Sequence, residues 1–578
     1  MDMIVDRVVV YRISQLVLFV GPITSYIVSP SANYDAISLP KMLAISSIGY
    51  LIFALAMTRW SAISERISRP LAYSSLAFIV FMMMTILFSG APLNQQIWGS
   101  FGRNTGFVTY SSLLFILLGA ALIGNENFYS KLVKVFVLSS IPIVMYCFIQ
   151  MAGKDPIGWS EMRTFATFGN VNFLSAFLGM ISISCLSLML EKRVSSFMKS
   201  SSLLILVSSI PIIVSTGSIQ GIMVFASGSF IIAGLRIRSW AKKNYWLIPY
   251  GLAGFSLLIS TVLALFNKGP LASLIFQTSI VLRGDYMHAG FEMTTRKPFF
   301  GVGLDSYGDW YREVRGTLST NRGSADRIAN SAHNIFLDIS SNGGVPLLVA
   351  YLALICLAIR GSMRVIRSKK EFNPYFGALL ASWIGYQVQA LISINQLAVG
   401  VWGWIFTGAL IGFSAGNARK DQETVVDELS KSKGKTPTKL RYESANVDLR
   451  KKLLPPHITL IGVSGFALGA TLSLIPLTAD VAYKTASKTL AIDKMFDSTN
   501  RLGSTAFHRE LVLEAAVKSN LTAQAGEIAL SLIDAYPRDF YAWKVLALIS
   551  PMGSPDRARA IDVLTSLDPF NHQSIPSR

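Results

Sequence analysis

Six arginines stand in one stretch of the chain, residues 267–333: Arg283, Arg296, Arg312, Arg315, Arg322 and Arg327, joined by His288 and His333. Guanidinium groups grip phosphate oxygens through paired donors. Imidazole is the side chain best matched to proton transfer near neutral pH. Together they describe a site that could hold an anionic, phosphate-bearing ligand and move a proton beside it. The plainer reading of the same residues is a solvated charged loop touching lipid headgroups, with His333 a structural imidazole at a helix edge. Other chemistries lack their residues. The sequence has no Asp-x-Asp, no HExxH and no Cys/His cluster, so divalent-metal catalysis is not suggested. It has no Walker phosphate loop, which argues against an ATP-driven pump. GVGLDSYG (301–308) follows no βαβ pattern, so it is not a dinucleotide fingerprint.

The elements that must position these residues are membrane helices. Of the 578 residues, 52% are hydrophobic and 15% charged, and mean hydropathy is +0.47. A soluble domain is about one-quarter charged. Apolar runs of roughly 17 to 25 residues, the length that crosses a bilayer, recur along most of the chain. They predict an all-α polytopic protein with about 12–13 transmembrane helices, near 13–29, 42–58, 71–88, 107–124, 132–151, 171–190, 201–215, 218–235, 245–266, 344–360, 375–393, 397–415 and 457–477. The pair meeting around Ser215 to Ser218 reads as two spans or as one bent helix. The run after Arg12 lacks a small-residue cleavage site and reads as a retained helix. Cys147, Cys185 and Cys356 lie in apolar runs without metal spacing and read as packing residues.

Net charge is +19. With the N-terminus in the cytoplasm, the inside segments carry 29 Lys and Arg and the short outside loops only Lys41, Arg103, Lys154 and Arg163. That asymmetry is the positive-inside pattern and accounts for the charge better than nucleic-acid binding does. In this frame residues 267–333 form a large external loop, and residues 416–456 a polar, Lys-rich, disordered cytoplasmic linker. A further span at 457–477 leads to an external helical domain, 478–578. There RELVLEAAVKSN, AQAGEIALSLIDAYPRD and YAWKVLALIS have helical apolar spacing. Pro537 and Pro569, 32 positions apart in similar contexts, suggest tetratricopeptide-like pairs; a small bundle without a repeat is the alternative.

Four segments in order resemble the O-antigen ligase/Wzy polymerase-like superfamily: FGRNTGFVTY (101–110), TFATFGNVNFLSAFL (164–178), RGDYMHAGFEMTTRKPFFGVGLDSYG (283–308) and HNIFLDISSNGG (333–344). The resemblance spans roughly residues 10 to 415. It implies a metal-independent, inverting glycosyltransferase of the GT-C kind in the bacterial plasma (inner) membrane. Such an enzyme moves a glycan from a polyprenyl (undecaprenyl) diphosphate carrier to a hydroxyl of a lipid, glycan or protein, on the external face, in surface polysaccharide biosynthesis. No cofactor and no metal are implied. His333 resembles the base that deprotonates or orients the acceptor, and Arg283 a diphosphate-binding arginine. Arg103 matches the external-turn arginine, Asn170 and Asn172 the Asn-x-Asn element, and Asn334 the His-Asn signature. Arg315 fits no motif and is assigned to substrate binding from charge and location alone. One departure stands out. Where many members carry Ser-Arg-Gly, this chain reads STGSIQG (215–221), so Gln220 could hydrogen-bond a phosphate oxygen but brings no charge.

The partners expected are therefore the lipid-linked glycan donor, a hydroxyl acceptor, membrane lipids and no nucleic acid, with a possible protein partner on residues 480–578. Two other functions compete. A transporter, such as an inorganic-carbon component, would place ionisable groups inside spans, where this chain has mostly amides such as Gln150, Gln220, Gln387 and Gln389. A non-catalytic envelope scaffold would tolerate loss of His333.

Overall fold

The computed structural model describes residues 2–159, 163–241, 245, 247–265, 267–276, 278–322, 326–369, 371–432, 449 and 452–577. Among them the chain is helical throughout, without strands. In order the helices are α1 (Asp2–Tyr26), α2 (Ser38–Met57), α3 (Trp60–Ser64), α4 (Arg69–Phe88), α5 (Leu93–Trp98), α6 (Phe107–Ala121), α7 (Glu126–Leu138), α8 (Ser140–Met151), α9 (Val171–Met189), α10 (Ser196–Thr216), α11 (Ile219–Trp240), α12 (Leu247–Leu265), α13 (Ala272–Ile275), α14 (Thr278–Arg296), α15 (Tyr307–Val314), α16 (Thr317–Asn321), α17 (Ile335–Ser368), α18 (Pro374–Ala390), α19 (Leu397–Ser432), α20 (Pro456–Ser487), α21 (Ile492–Thr499), α22 (Ala506–Lys518), α23 (Thr522–Ala535), α24 (Phe540–Ile549) and α25 (Pro555–Leu567).

Eleven of these elements, α7 and α8 counting as one continuous span, are long and apolar enough to cross a membrane. Two shorter helices, α6 with 15 residues and α18 with 17, complete the apolar runs of the sequence. The chain is an all-α polytopic membrane protein. α10 and α11 are separate helices joined at Gly217 and Ser218, and both pack along α9. The bundle interior holds Trp383, Trp402 and Phe136. α20 lies along α2, where Gly465 and Gly469 bring it against the backbone carbonyls of Tyr50 and Ser46. Small residues allow this close approach between helices in lipid.

α17 is broken at Gly344, whose φ of +79° and ψ of 171° interrupt the helix ahead of Pro346. The turn and loop at 298–303 run against the break. Val345 N–H donates to the Pro298 carbonyl at 2.7 Å, Val302 N–H to Ser341 at 2.8 Å and Gly303 N–H to Asn342 at 3.0 Å. The apolar run predicted from 344 therefore starts at the break, and the nine residues before it form a separate turn of helix beside the 267–333 segment. That segment is itself folded around Met293, Tyr307, Tyr311 and Val314.

Two domain boundaries fall inside helices. α19 runs on to Ser432, into the stretch whose composition reads as a disordered linker, while 433–448 lie outside the described residues. α20 runs ten residues past the predicted end of its span and leads into α21–α25, in which consecutive helices pack on one another.

Candidate active site

The site forms where helix starts meet at one end of the bundle, because polar caps there bond to each other's loops. Asn334 caps α17, its Oδ1 accepting from Phe336 N–H at 3.0 Å and Leu337 N–H at 3.1 Å. Its Nδ2 donates to the Leu391 carbonyl after α18 at 3.1 Å. Gln396, in the same connection, donates to the Phe168 carbonyl at 3.3 Å. Asn170 caps α9 by accepting from Asn172 N–H at 2.8 Å. Asn172 Oδ1 in turn accepts from Ser218 Oγ, the cap of α11, at 2.7 Å. These bonds gather His333, Asn334, Asn170, Asn172 and Gln220 at one end. The side-chain oxygens of Asn170 and Asn334 are committed to capping.

His333 immediately precedes the Asn334 cap, with φ at +50°. A non-glycine residue in the left-handed region is held there by its surroundings, and the bonds that hold this turn are explicit. His333 N–H donates to Ser331 Oγ at 2.9 Å. Asp338 accepts from Ser331 Oγ at 2.8 Å and from Ala332 N–H at 2.7 Å. Arg103 Nη1 donates to the Asn330 carbonyl at 2.7 Å, and its Nη2 lies 3.4 Å from Asp338 Oδ2. Arg103 Nε sits 3.2 Å from Asp305 Oδ1 without aiming its N–H at that oxygen. Asp305 also accepts from Ser100 and Thr105 N–H, closing the turn that bears Arg103.

The backbone is pinned, but the imidazole is not. Its ring faces Tyr286, centroids 5.3 Å apart, and it has no hydrogen-bond partner among the described residues. Burial, together with repulsion from Arg283 and Arg103, pushes its pKa down to about 4. It is therefore a neutral imidazole at physiological pH. Arg283, three residues before Tyr286 on α14, is 9% exposed and has neither a carboxylate nor a hydrogen-bond partner among the described residues. Burial pulls its pKa down, although a guanidinium stays charged. The arrangement is a proton acceptor beside an unpaired, buried cation.

Two expected substrate arginines are placed otherwise. Arg315 is 1% exposed. Its Nη2 lies 2.5 Å from Asp568 Oδ2, its Nε 3.2 Å from Oδ1, and its Nη1 3.0 Å from the Arg327 carbonyl. A guanidinium gripped on both edges in this way is a structural clasp, which corrects the assignment made from charge and location. Arg103 stands between Asp305 and Asp338, which raise its pKa against the lowering effect of burial. It organises the His333 turn, and its charge is balanced before any anion arrives.

Gln220 is 1% exposed with neither amide atom paired among the described residues, and so is Gln389 on α18. A Cβ on Gly385 would meet Val224, so Gln389, one turn beyond Gly385, and Gln220, one turn before Val224, lie at one level. Among the described residues no three His, Cys, Asp or Glu side chains cluster as a metal site. The carboxylates that build the site, Asp305 and Asp338, stand inside motifs quoted for other residues, GVGLDSYG and HNIFLD. Nothing local marks Asp568, which lies 253 positions from Arg315.

No curated protein matches the chain. Residues 175–352 match the family model Wzy_C, described as O-antigen ligase. The matched stretch runs from α9 through Arg283 and His333 to just past the break in α17, and over it the chain is similar to the O-antigen ligase/Wzy-like superfamily.

Proposed function

We propose that this protein is a metal-independent inverting glycosyltransferase that moves a glycan from a polyprenyl diphosphate carrier to an acceptor hydroxyl on the external membrane face. The family match supports a membrane glycosyltransferase-like role in surface polysaccharide synthesis. The finer reading rests on one observation: a buried guanidinium, Arg283, beside a neutral imidazole, His333, neither of them with a hydrogen-bond partner among the described residues. In the step we propose, His333 accepts the proton of the acceptor hydroxyl as its oxygen bonds to the anomeric carbon. The bond from that carbon to the diphosphate oxygen breaks on the opposite side, and the electron pair leaves with the diphosphate. Fixed guanidinium groups in a water-poor site stabilise the negative charge that grows there. The carrier's apolar tail stays in lipid, which is why the enzyme is built from membrane helices.

The reading is tested with the full chain in proteoliposomes, a synthetic polyprenyl-diphosphate glycan and a panel of hydroxyl acceptors. Transfer with inversion at the anomeric carbon, lost in His333→Asn, is expected. Transfer undiminished in His333→Asn would sink it. In cells, loss of the gene should leave glycan on its carrier if the enzyme is a ligase, and shorten chains if it is a polymerase.

A further inference from the structure

The segment that delivers His333 is bonded to the C-terminal domain. Asp568, the C-cap residue just after α25, is fully buried. Its carboxylate receives Arg315 through two nitrogens, Arg312 Nη1 at 3.0 Å and Asn571 Nδ2 at 3.1 Å. Arg315 then donates to the Arg327 carbonyl, and Arg312 Nη2 to that of Asp326 at 3.2 Å. Ser574 Oγ donates to Asp326 Oδ1 at 3.2 Å. From Arg327 six residues lead to His333; Asn330, Ser331 and Ala332 are hydrogen-bonded to Arg103 and Asp338, and Ala329 and Ala332 pack into the core around Tyr307 and Tyr311. The 326–333 segment thus has two anchors. One is in the membrane bundle; the other is a carboxylate from the far end of the chain.

We propose that Asp568 is a positioning residue of the transfer site: through Arg315 and Arg312 the C-terminal domain sets where His333 stands. The inference rests on His333 being the transfer centre, and it makes the domain a working part of the enzyme rather than an attached recruitment module. One buried carboxylate holds both arginines, so removing it breaks both of their bonds to the C-terminal domain's Asp568 at once.

The test uses the full chain in proteoliposomes. In Asp568→Asn, backbone amides of 327–333 exchange hydrogen at least about ten-fold faster. Turnover falls by about a hundred-fold, the scale of a one-ångström misplacement, while affinity for the lipid-linked donor is kept. Asp326→Cys and Ser574→Cys are then added to the same variant. Oxidation to a disulfide replaces the lost clasp and restores both exchange protection and turnover, and dithiothreitol reverses the rescue. Unchanged exchange in Asp568→Asn, or an oxidised triple variant that stays unprotected and slow, overturns the proposal. If exchange responds as expected but not even the parent protein transfers sugar, the tether stands and the transferase reading fails.

Discussion

At the scale of single residues, the decisive feature is the pairing of each charge. Arg103, Arg283 and Arg315 are all nearly buried, yet only Arg283 has no carboxylate among the described residues. An unpaired buried cation costs stability in the empty protein and gains it when an anion binds. Arg283→Met should therefore leave the thermal midpoint of the ligand-free protein unchanged or higher, while weakening donor affinity by about 10- to 100-fold, the value of a charge-assisted hydrogen bond. Differential scanning fluorimetry and donor titration read the two effects; a lower midpoint with intact affinity would contradict this. His333 gives a prediction of its own. Its free-enzyme pKa of about 4 is depressed by burial and by two arginines. The neutral, proton-accepting form is thus present above that value and is lost as pH falls through it. A diphosphate neutralises the arginine repulsion, so the pKa rises when donor is bound. The acid limb of kcat/KM should lie near pH 4 and that of kcat clearly higher; coincident limbs would contradict the arginines' part in the shift. Asn is the right replacement for testing the imidazole, because it tolerates the left-handed backbone at 333. Counting arginines marks the whole segment 267–333. It could not separate Arg283 from Arg315, since the partner of Arg315 stands hundreds of positions away and a charge is read locally while a pair is not.

At the scale of elements, the spans were legible because length and apolarity decide them without reference to neighbours. All thirteen runs correspond to helices, and Gly217 and Ser218 divide α10 from α11 at the doubtful junction. What the sequence concealed was the nine-residue helix between Asn334 and Gly344, too short and polar to count as part of a span, and the threading of 298–303 past the break. Both depend on backbone bonds between segments about forty residues apart. Their keystone is Gly344. A Cβ there would stand 2.4 Å from the Phe299 carbonyl oxygen, and φ of +79° is unfavourable to any other residue. Gly344→Ala should lose at least about 1–2 kcal/mol from the backbone alone, read as a lower melting temperature in bicelles. Gly251→Ala is the control: it lies within α12, and no atom comes within 4 Å of an added Cβ. It should be neutral or slightly stabilising. Equal effects at the two positions would show that the break does not need a glycine.

At the scale of the whole molecule, the chain closes on itself. α20 returns to α2 through its small-residue face and delivers α21–α25 to the end of the bundle where His333 stands. Asp480 secures that delivery, accepting from the backbone N–H groups of Tyr34 and Asp35 at 2.6 and 3.1 Å and from Asn33 Nδ2 at 3.1 Å, with His508 Nε2 at 3.2 Å. Asn94 bonds to Ser504 and Gly503 nearby. The His333 turn and the C-terminal domain must therefore share one side of the membrane, whichever side that is. Counting basic residues assigns it to the outside, because the loops at the opposite end hold most of the Lys and Arg. Leu502, 67% exposed in the C-terminal domain, and exposed Ser61, between α2 and α4, lie at opposite ends of spans and report on that assignment. In a background with Cys356→Ser, where Cys147 and Cys185 are buried, Leu502→Cys should react with an impermeant maleimide added to spheroplasts, and Ser61→Cys only after permeabilisation. The reverse pattern would turn His333 and Arg283 toward the cytoplasm, where a glycan carried to the outer leaflet could not reach them.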